Sequence, residues 1–559
     1  MKIVEQLNSY LGDYEESVDI TDNYKFNLKE TINKIELYNA SKFKSGDTDS
    51  QNNHKYFENI SNPQCGNATK NIDLDRKDIE VHANNGKDRI KAMIYNDELK
   101  YWMRRANTGV LLNKIVENLP KYGSVILKKV GKEIKMIPLK FIILDPAVSN
   151  LDNDFDIKSS YIIQRHSYNI QQLLKQKKWD KKKIEEITDT LRKKKENEID
   201  VYEIYAEMAN SEIKGAGGKG YSLGMAVVCN DEVLYTHKIK KFPYKKVDYL
   251  TIEGRALGLG IIEMLFDPQR RWNEMCNQKA LSMKLGSKHI YQSRDVSVAS
   301  NIMTDLLDGE ILKVNSEITP IATEERNLGA YSQEEAKLMG VIRSLANAHE
   351  IMTGEGLPSR TPFRLGALME RNAGKLFEFI RENLSMFLEE VIGEWVLPQF
   401  NAGIIKEHIF EFYDAKTIRK IVERDVNRRL NVAIKDYVIS NGEYPTKEET
   451  NMLKEVLLSQ HNDTEFGEII EGYMEFDKTL SVDITGESSN RTVELESMTN
   501  FMQLLGQNPI LLQDPQFRPM MEDIALKIGI SPMLIPDGSP TPMPPLNAGG
   551  KPAPNQANQ

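Results

Sequence analysis

Cysteine is scarce in this chain of 559 residues: Cys65, Cys229 and Cys276 are the only three, far apart and never in C-x-x-C spacing. That pattern argues against a disulfide framework and a cysteine-based zinc site, and it fits a reducing compartment. Long apolar runs are missing too. No window approaches 18 uninterrupted apolar residues, and the opening Met1-Lys2-Ile3-Val4-Glu5-Gln6 holds no apolar signal core. The expectation is a cytosolic protein with no membrane partner. His54, His82, His166, His237, His289, His349, His408 and His461 never fall at i, i+3 or i, i+4, so no metal triad is visible. No G-x-x-x-x-G-K-[ST] phosphate loop exists, since Gly218-Lys219 is followed by Gly220. A nucleotide-hydrolysing motor needs that loop to cradle phosphates and magnesium. A G-x-S-x-G nucleophile elbow is absent as well. No cofactor, no metal and no catalytic residue is expected.

Charge of one sign is also not in large excess. Lysine and arginine number 73 against 82 aspartates and glutamates, a net of −9, so the chain is no basic nucleic-acid coat and any DNA contact must be local. Its length predicts roughly three or four domains. With 40% hydrophobic and 28% charged residues it reads as well solvated and helix-rich.

Periodicity in Ile3, Leu7, Leu11 and then Phe26, Leu28, Ile32, Ile35, Leu37 predicts two helices in the first 45 residues. Ser45 to Asn53 reads as a polar loop, Asn62-Pro63 as a turn, and Gly86 to about Leu119 as one long helix. Short β-like runs follow at Val125–Leu127, Ile134–Ile137 and Phe141–Leu144, then again over 199–209 and 221–239. Between the last two, Gly215-Ala216-Gly217-Gly218-Lys219-Gly220 satisfies G-x-G-x-x-G by chance. A strand rather than a helix follows it, so it reads as a flexible hairpin tip. Between Leu173 and Lys195 ten lysines and arginines face four acids, while Leu173, Trp179, Ile184, Ile187 and Leu191 recur at helical spacing. Two amphipathic helices with a solvated basic face, or a phosphate-contacting surface, are the two readings. The acidic pairs Glu324-Glu325 and Glu389-Glu390 are expected on solvated surface, because a carboxylate pair is catalytic only inside a cleft.

The second half is mostly helical, with helices predicted over 258–286, 333–352, 364–397, 415–440, 447–460, 490–506 and 516–528. The span 288–325 is mixed, with β-like Glu310–Val314, and the Pro/Gly-rich tail 536–559 is expected to be disordered. Asp267 and Pro268 suit the start of a helix. In that helix Ile262, Phe266, Trp272, Cys276, Ala280 and Met283 form an apolar stripe, and Asp267, Arg270, Arg271, Glu274 and Gln278 a wet one. Thr353-Gly354-Glu355-Gly356-Leu357-Pro358-Ser359-Arg360-Thr361-Pro362 cannot be helical and must link helices. The next helix, about 50 Å long, carries an apolar face from Leu365 to Trp395.

In this order the chain resembles the portal proteins of tailed bacteriophages, in particular the podovirus type. Asn59-Ile60-Ser61-Asn62-Pro63 with Ala68-Thr69-Lys70 looks like their early segment, and Tyr122-Gly123-Ser124-Val125-Ile126 with Leu144-Asp145-Pro146 like their wing core. Gly254 to Gln269 looks like the lead-in to a first stem helix, and Thr353 to Arg364 like the tunnel loop before a long wing helix. Val482 to Glu487 and Leu504 to Pro509 look like segments near a crown.

The resemblance implies an α+β, predominantly α-helical fold. Residues 1–257 would be the N-terminal wing, 258–287 the first stem helix, 288–332 an inserted clip and 333–352 the second stem helix. Residues 353–363 would form the tunnel loop, 364–480 the returning wing with its long spine helix, 481–535 a short helical crown and 536–559 the tail. It implies a ring homo-oligomer, usually a dodecamer, at one capsid vertex of the virion, assembled in the host cytoplasm. Through its channel double-stranded DNA passes during packaging and ejection. The partners implied are that DNA without sequence preference, the terminase large subunit, head-tail adaptor and tail proteins, and the major capsid protein, with scaffold as a further contact. Portals are not enzymes; the terminase supplies the ATPase. Gly354, Glu355, Gly356, Ser359, Arg360 and Arg364 would be the DNA-facing loop residues, the two arginines either touching phosphates or pairing with a neighbouring subunit. Arg270, Arg271, Glu274 and Gln278 would face the channel or the next subunit. The rival readings are another structural virion component, such as a connector or scaffold-associated protein, and a nucleic-acid-processing enzyme.

Overall fold

The computed structural model describes residues 2–48, 52–83, 89–145, 161–286, 290–294, 316–321, 328–347, 363–400, 415–459 and 478–482. In chain order the elements begin with α1 (Ile3–Glu15), β1 (Val18–Thr21), β2 (Tyr24–Phe26), α2 (Leu28–Asn39), α3 (Ser61–Ile72), β3 (Ile79–Ala83), α4 (Arg89–Arg105) and α5 (Thr108–Tyr122). Next come β4 (Ser124–Val130), β5 (Glu133–Ile137), β6 (Ile142–Leu144), β7 (Ile162–Asn169), α6 (Ile170–Leu174), α7 (Lys181–Lys194), β8 (Glu198–Ala209), β9 (Tyr221–Cys229), β10 (Glu232–Lys238) and β11 (Tyr244–Asp248). The later part holds α8 (Ile261–Met264), α9 (Phe266–Gly286), β12 (Ile290–Gln292), β13 (Thr319–Ile321), α10 (Leu328–Leu345), α11 (Phe363–Trp395), α12 (Ala415–Asn441), α13 (Lys447–Ser459) and β14 (Lys478–Val482). The fold is mixed, with helix outweighing strand.

Two expectations fail locally for identifiable reasons. Asn62-Pro63 is no turn but lies in the first turn of α3, where proline loses only an N–H that has no helical partner anyway. The free amides of that turn are taken up by Asn59 Oδ1, which accepts from Ser61 and Asn62. The single helix expected from Gly86 to Leu119 is two helices, because Asn107 turns left-handed at φ 50° between α4 and α5. The predicted helices at 490–506 and 516–528, the β-like run 310–314 and the tail lie outside the described residues.

The chain divides into two compact units, Met1–Asp75 with Ala106–Trp395, and Arg76–Arg105 with Val396–Gln559. In the second, β3 pairs antiparallel with β14, Ile79 opposite Val482 and Ala83 opposite Lys478. Asn96 of α4 brackets β3 by accepting from Val81 N at 2.6 Å and donating to Val81 O at 2.9 Å.

The first unit is built around a five-stranded antiparallel meander in the order β10-β9-β8-β7-β6, beside a three-stranded sheet in the order β11-β4-β5. The β9–β10 hairpin turns through Asn230 and Asp231, both at positive φ, the backbone that a two-residue connection between twisted strands requires. The 215–220 glycines fall in the β8–β9 connection, the hairpin tip expected. Strand alternation sends Ala226 and Val228 to one face of the meander, where Ile3 and Leu7 of α1 cover them. Val227 and Cys229 go to the other face, under Leu173 of α6 and Ile184, Ile187 and Leu191 of α7.

One buried ionic cluster joins the two sheets. Lys128 of β4 reaches Glu203 of β8 at 2.6 Å and Gln164 of β7 at 2.7 Å, and Tyr244 of β11 donates to Gln164 at 3.0 Å. His166 Nε2 stands 3.1 Å from the same Glu203 carboxylate, and Tyr205 donates to its other oxygen at 2.6 Å. Burial alone would raise the Glu203 carboxyl, but the His166 contact, the Lys128 charge and hydrogen bonds from Lys128 and Tyr205 bring it down to about 2. A folded value below the ordinary 4.5 makes this contribution complete above about pH 4.5 and loses it as the pH falls toward 2. Glu203→Gln leaves the Lys128 ammonium buried without its counter-charge, and urea unfolding at neutral pH should show a loss of about 3 kcal/mol. The same variant should show a flatter decline of stability than the parent between pH 4.5 and 2.

Candidate functional site

The stretch that carries most of the sequence signal, Gly254 to Gly286, is bolted to the first unit at its base. Arg255 has no solvent exposure, and its side-chain donors are answered on every side. Nε donates to Leu257 O at 2.6 Å, Nη1 to Tyr24 Oη at 2.7 Å, and Nη2 to Gly258 O at 3.1 Å. The fork closes on Glu263 of α8 at 2.9 and 2.7 Å, and the guanidinium lies 4.3 Å from the Phe26 ring centre. Lys246 of β11, also buried, donates to Ala256 O at 2.9 Å and Asp248 at 3.0 Å, while Ser124 links Asp248 to Gly258 N.

The chain crosses itself at this point without room for a side chain. Gly123, at φ +78°, packs backbone to backbone against Gly258 and Gly260, and a Cβ on Gly260 would stand 2.5 Å from Gly123 N. Thus the glycines of Gly-Arg-Ala-Leu-Gly-Leu-Gly set a close approach, and the arginine holds it.

From this base α9 presents three faces. Ile262 just before it and Trp272 and Met275 within it are buried. Ala280 and Met283, expected on the same apolar stripe, are exposed, so the stripe is covered only over its first half. A second face consists of amides at i, i+4 and i+8. Gln269 accepts from Ile60 N at 2.9 Å and donates to Glu58 O at 2.6 Å. Asn273 accepts from Glu58 N at 3.0 Å, and Asn277 brackets Tyr56 at 2.8 and 2.9 Å. Together they pair with the extended backbone of Tyr56–Ile60 as a neighbouring strand would.

The third face is the wet stripe. Arg270, Arg271, Glu274 and Gln278 are all exposed along it. Arg270 meets Asp267 at 3.6 Å and Arg271 meets Glu334 of α10 at 3.6 Å, both as solvent-exposed pairs. Asp267 lies inside the first turn of α9 rather than capping it, where its charge suits the helix field. Helix α10 begins at Leu328, earlier than expected, and Lys279 adds a 2.9 Å pair to its Glu335.

Helix α11 is tied to the same body at its far end. Lys245 of β11, only 3% exposed, pairs with Glu390 and lies 3.2 Å from Glu394. Glu390 is therefore the counter-ion of a buried lysine, a correction to its expected place on solvated surface. Arg364 belongs to the first turn of α11. Gly354, Glu355, Gly356, Ser359 and Arg360 lie outside the described residues, as does Glu324-Glu325.

Arg255, Glu263, Gln269, Asn273 and Lys245 are anchoring residues that sequence reasoning did not single out, and Glu390 is one that it placed on solvated surface. A lone arginine inside a glycine-rich segment and amides spaced by four on one helix were the available signals. Among the described residues no cluster of histidine, cysteine or acid side chains has the make-up of a metal site, and no helix is long and apolar enough to cross a membrane. Neither a scan of protein-family models nor a search of curated proteins gives a match to the chain.

Arg255→Ala leaves the partly buried Glu263 carboxylate and the Leu257 and Gly258 carbonyls without their donor and should cost about 3 kcal/mol in chemical unfolding. Arg255→Lys keeps the charge but not the fork, and should recover only part of that loss.

Proposed function

We propose that this chain is a phage portal protein: a subunit of a ring, usually of twelve copies, that forms the DNA channel at one capsid vertex. The observation that carries the reading is the sequence α9, inserted segment, α10, α11. Strands β12 and β13 pair with Ile290 opposite Ile321 and Gln292 opposite Thr319, so the segment between them leaves and rejoins the two helices at one neck. This pairing supports the reading of a stem with an inserted clip, and the 33-residue length of α11 suits the spine that the resemblance implies.

The physical chemistry of the helices supports the role. A channel for DNA of any sequence must not hold it, because each fixed phosphate contact adds a salt-dependent free energy that slows movement. The wet stripe of α9 offers mixed charge held in exposed pairs, each worth about 0–1 kcal/mol and readily exchanged with a neighbouring copy. The half-covered apolar stripe, with Leu281 and Met283 exposed on α9 and Val341 and Leu345 on α10, leaves apolar surface for a heterologous ring contact. In this role the partners are DNA, the terminase, head-tail adaptor proteins and the capsid, and the place is the virion.

Native mass measurement with negative-stain imaging tests the proposal. Twelve copies of the 63.9 kDa chain make a ring of about 770 kDa with an axial hole. A compact dimer or tetramer without a hole overturns it.

A further inference from the structure

We propose that the α6–α7 module, residues 170–195, binds the phosphate backbone of duplex DNA through two separate lysine clusters. The fold uses the underside of this module and leaves its charges unspent. Leu173, Ile184, Ile187 and Leu191 are buried against the meander, while Lys183 pairs with Glu232 and Arg192 with Asp189. Lys177, Lys178, Lys181 and Lys182, by contrast, are exposed at the start of α7 and have no acidic partner among the described residues. Lys193, Lys194 and Lys195 are exposed in the same way at its end. In a chain of net charge −9, this concentration has no counterpart in the folding chemistry of the first unit, where Lys128, Lys245, Lys246 and Arg255 are buried and paired.

The first-turn lysines oppose the helix field, which favours acids at that end, so α7 forms in spite of them. That cost falls on Lys181 and Lys182 and points to a use outside the fold; Lys193 and Lys194, in the last turn, suit the helix field, and what they share with the first cluster is exposure without an acidic partner among the described residues. The chemistry of the cluster then selects the ligand. Lysine is a point charge that meets phosphate without reading bases, and the aromatic rings beside it, Tyr168, Trp179 and Tyr235, are half-buried against the apolar underside of the module. Base stacking on a single strand is thus not provided.

The spacing favours a duplex over a single acidic strand or peptide. Lys182 and Lys193 are eleven residues apart on one helix, about 17 Å along its axis, a distance that bridges a major groove about 12 Å wide to the phosphates on both rims. Between them the exposed face carries Glu185, Glu186 and Asp189. A continuous polyanion laid along the helix would meet those acids, whereas two phosphate rows flanking a groove leave them over the opening.

The proposal does not rest on ring formation, since a chain that never closed into a ring would carry the same surface. The test is duplex binding by the full-length protein, using a short random-sequence duplex between about 50 and 200 mM salt, with native mass followed in parallel. The parent should bind all sequences alike. K177Q/K178Q/K181Q/K182Q and K193Q/K194Q/K195Q should each weaken binding at least tenfold and lower the slope of log K against log salt by about three. Both substitute exposed side chains only, so native mass should stay as in the parent, with thermal unfolding slightly raised by the first variant and slightly lowered by the second. As a control for overall charge, K25Q/K29Q/K44Q should leave binding within twofold. Parent-like binding by both cluster variants overturns the proposal, as does an equal loss in the control. Competition by polyglutamate as effective as duplex at equal charge also overturns it, in favour of an acidic protein partner.

Discussion

A guanidinium with no solvent exposure must have its donors answered by the protein, and Arg255 meets that demand with Tyr24, Leu257, Gly258 and Glu263. Those partners come from the β1–β2 hairpin, the glycine-rich segment and α8, so satisfying one side chain fixes three pieces of chain at once. The crossing of Gly123 with Gly258 and Gly260 adds a steric constraint to the electrostatic one. Together they set where α9 starts, and the amides of α9 then set the path of Tyr56–Ile60. Everything proposed for the helices depends on that base being rigid.

Buried cations recur at the joints of the first unit. Lys128 links its two sheets, Lys246 links β11 to the glycine-rich segment, and Lys245 links β11 to α11. Such pairs add little net stability over an apolar packing of the same volume, because desolvation offsets the attraction. What they supply is directionality: a misplaced α11 would strand Lys245 without Glu390, an error far costlier than a slipped leucine. Lys181, Lys182, Lys193 and Lys194 of α7 lie at the opposite extreme, exposed and with no acidic partner among the described residues, and that contrast within one chain is what motivates the proposal of a ligand for them.

Much of this fold was legible in the sequence because its helices and hairpins are locally encoded. The apolar spacing of Leu28, Ile32 and Ile35 marks α2, and the run from Leu376 to Trp395 marks α11. Apart from the helix break at Asn107, the failures occur where a distant contact outweighs local preference. Pro63 looks like a breaker until Asn59 and Gln269 take up the amides around it. The pairing of β3 with β14 joins segments almost four hundred residues apart, and nothing near either strand announces the other. At the candidate site the wet stripe of α9 followed from helical period alone. Gln269 and Asn273 were missed because amides count as polar in such a pattern, yet both are buried, and Glu390 was misjudged because its lysine comes from β11.

The central claim is that α9 and α10, anchored through Arg255, form the wall of an axial channel. A cryo-electron microscopy reconstruction of the purified assembly tests it most directly. The account predicts a closed ring in which both helices stand around an opening wide enough for B-form duplex, with the 287–327 insertion at one end. An assembly without an axial opening, or one whose opening is lined by other elements while α9 and α10 face outward, would contradict it.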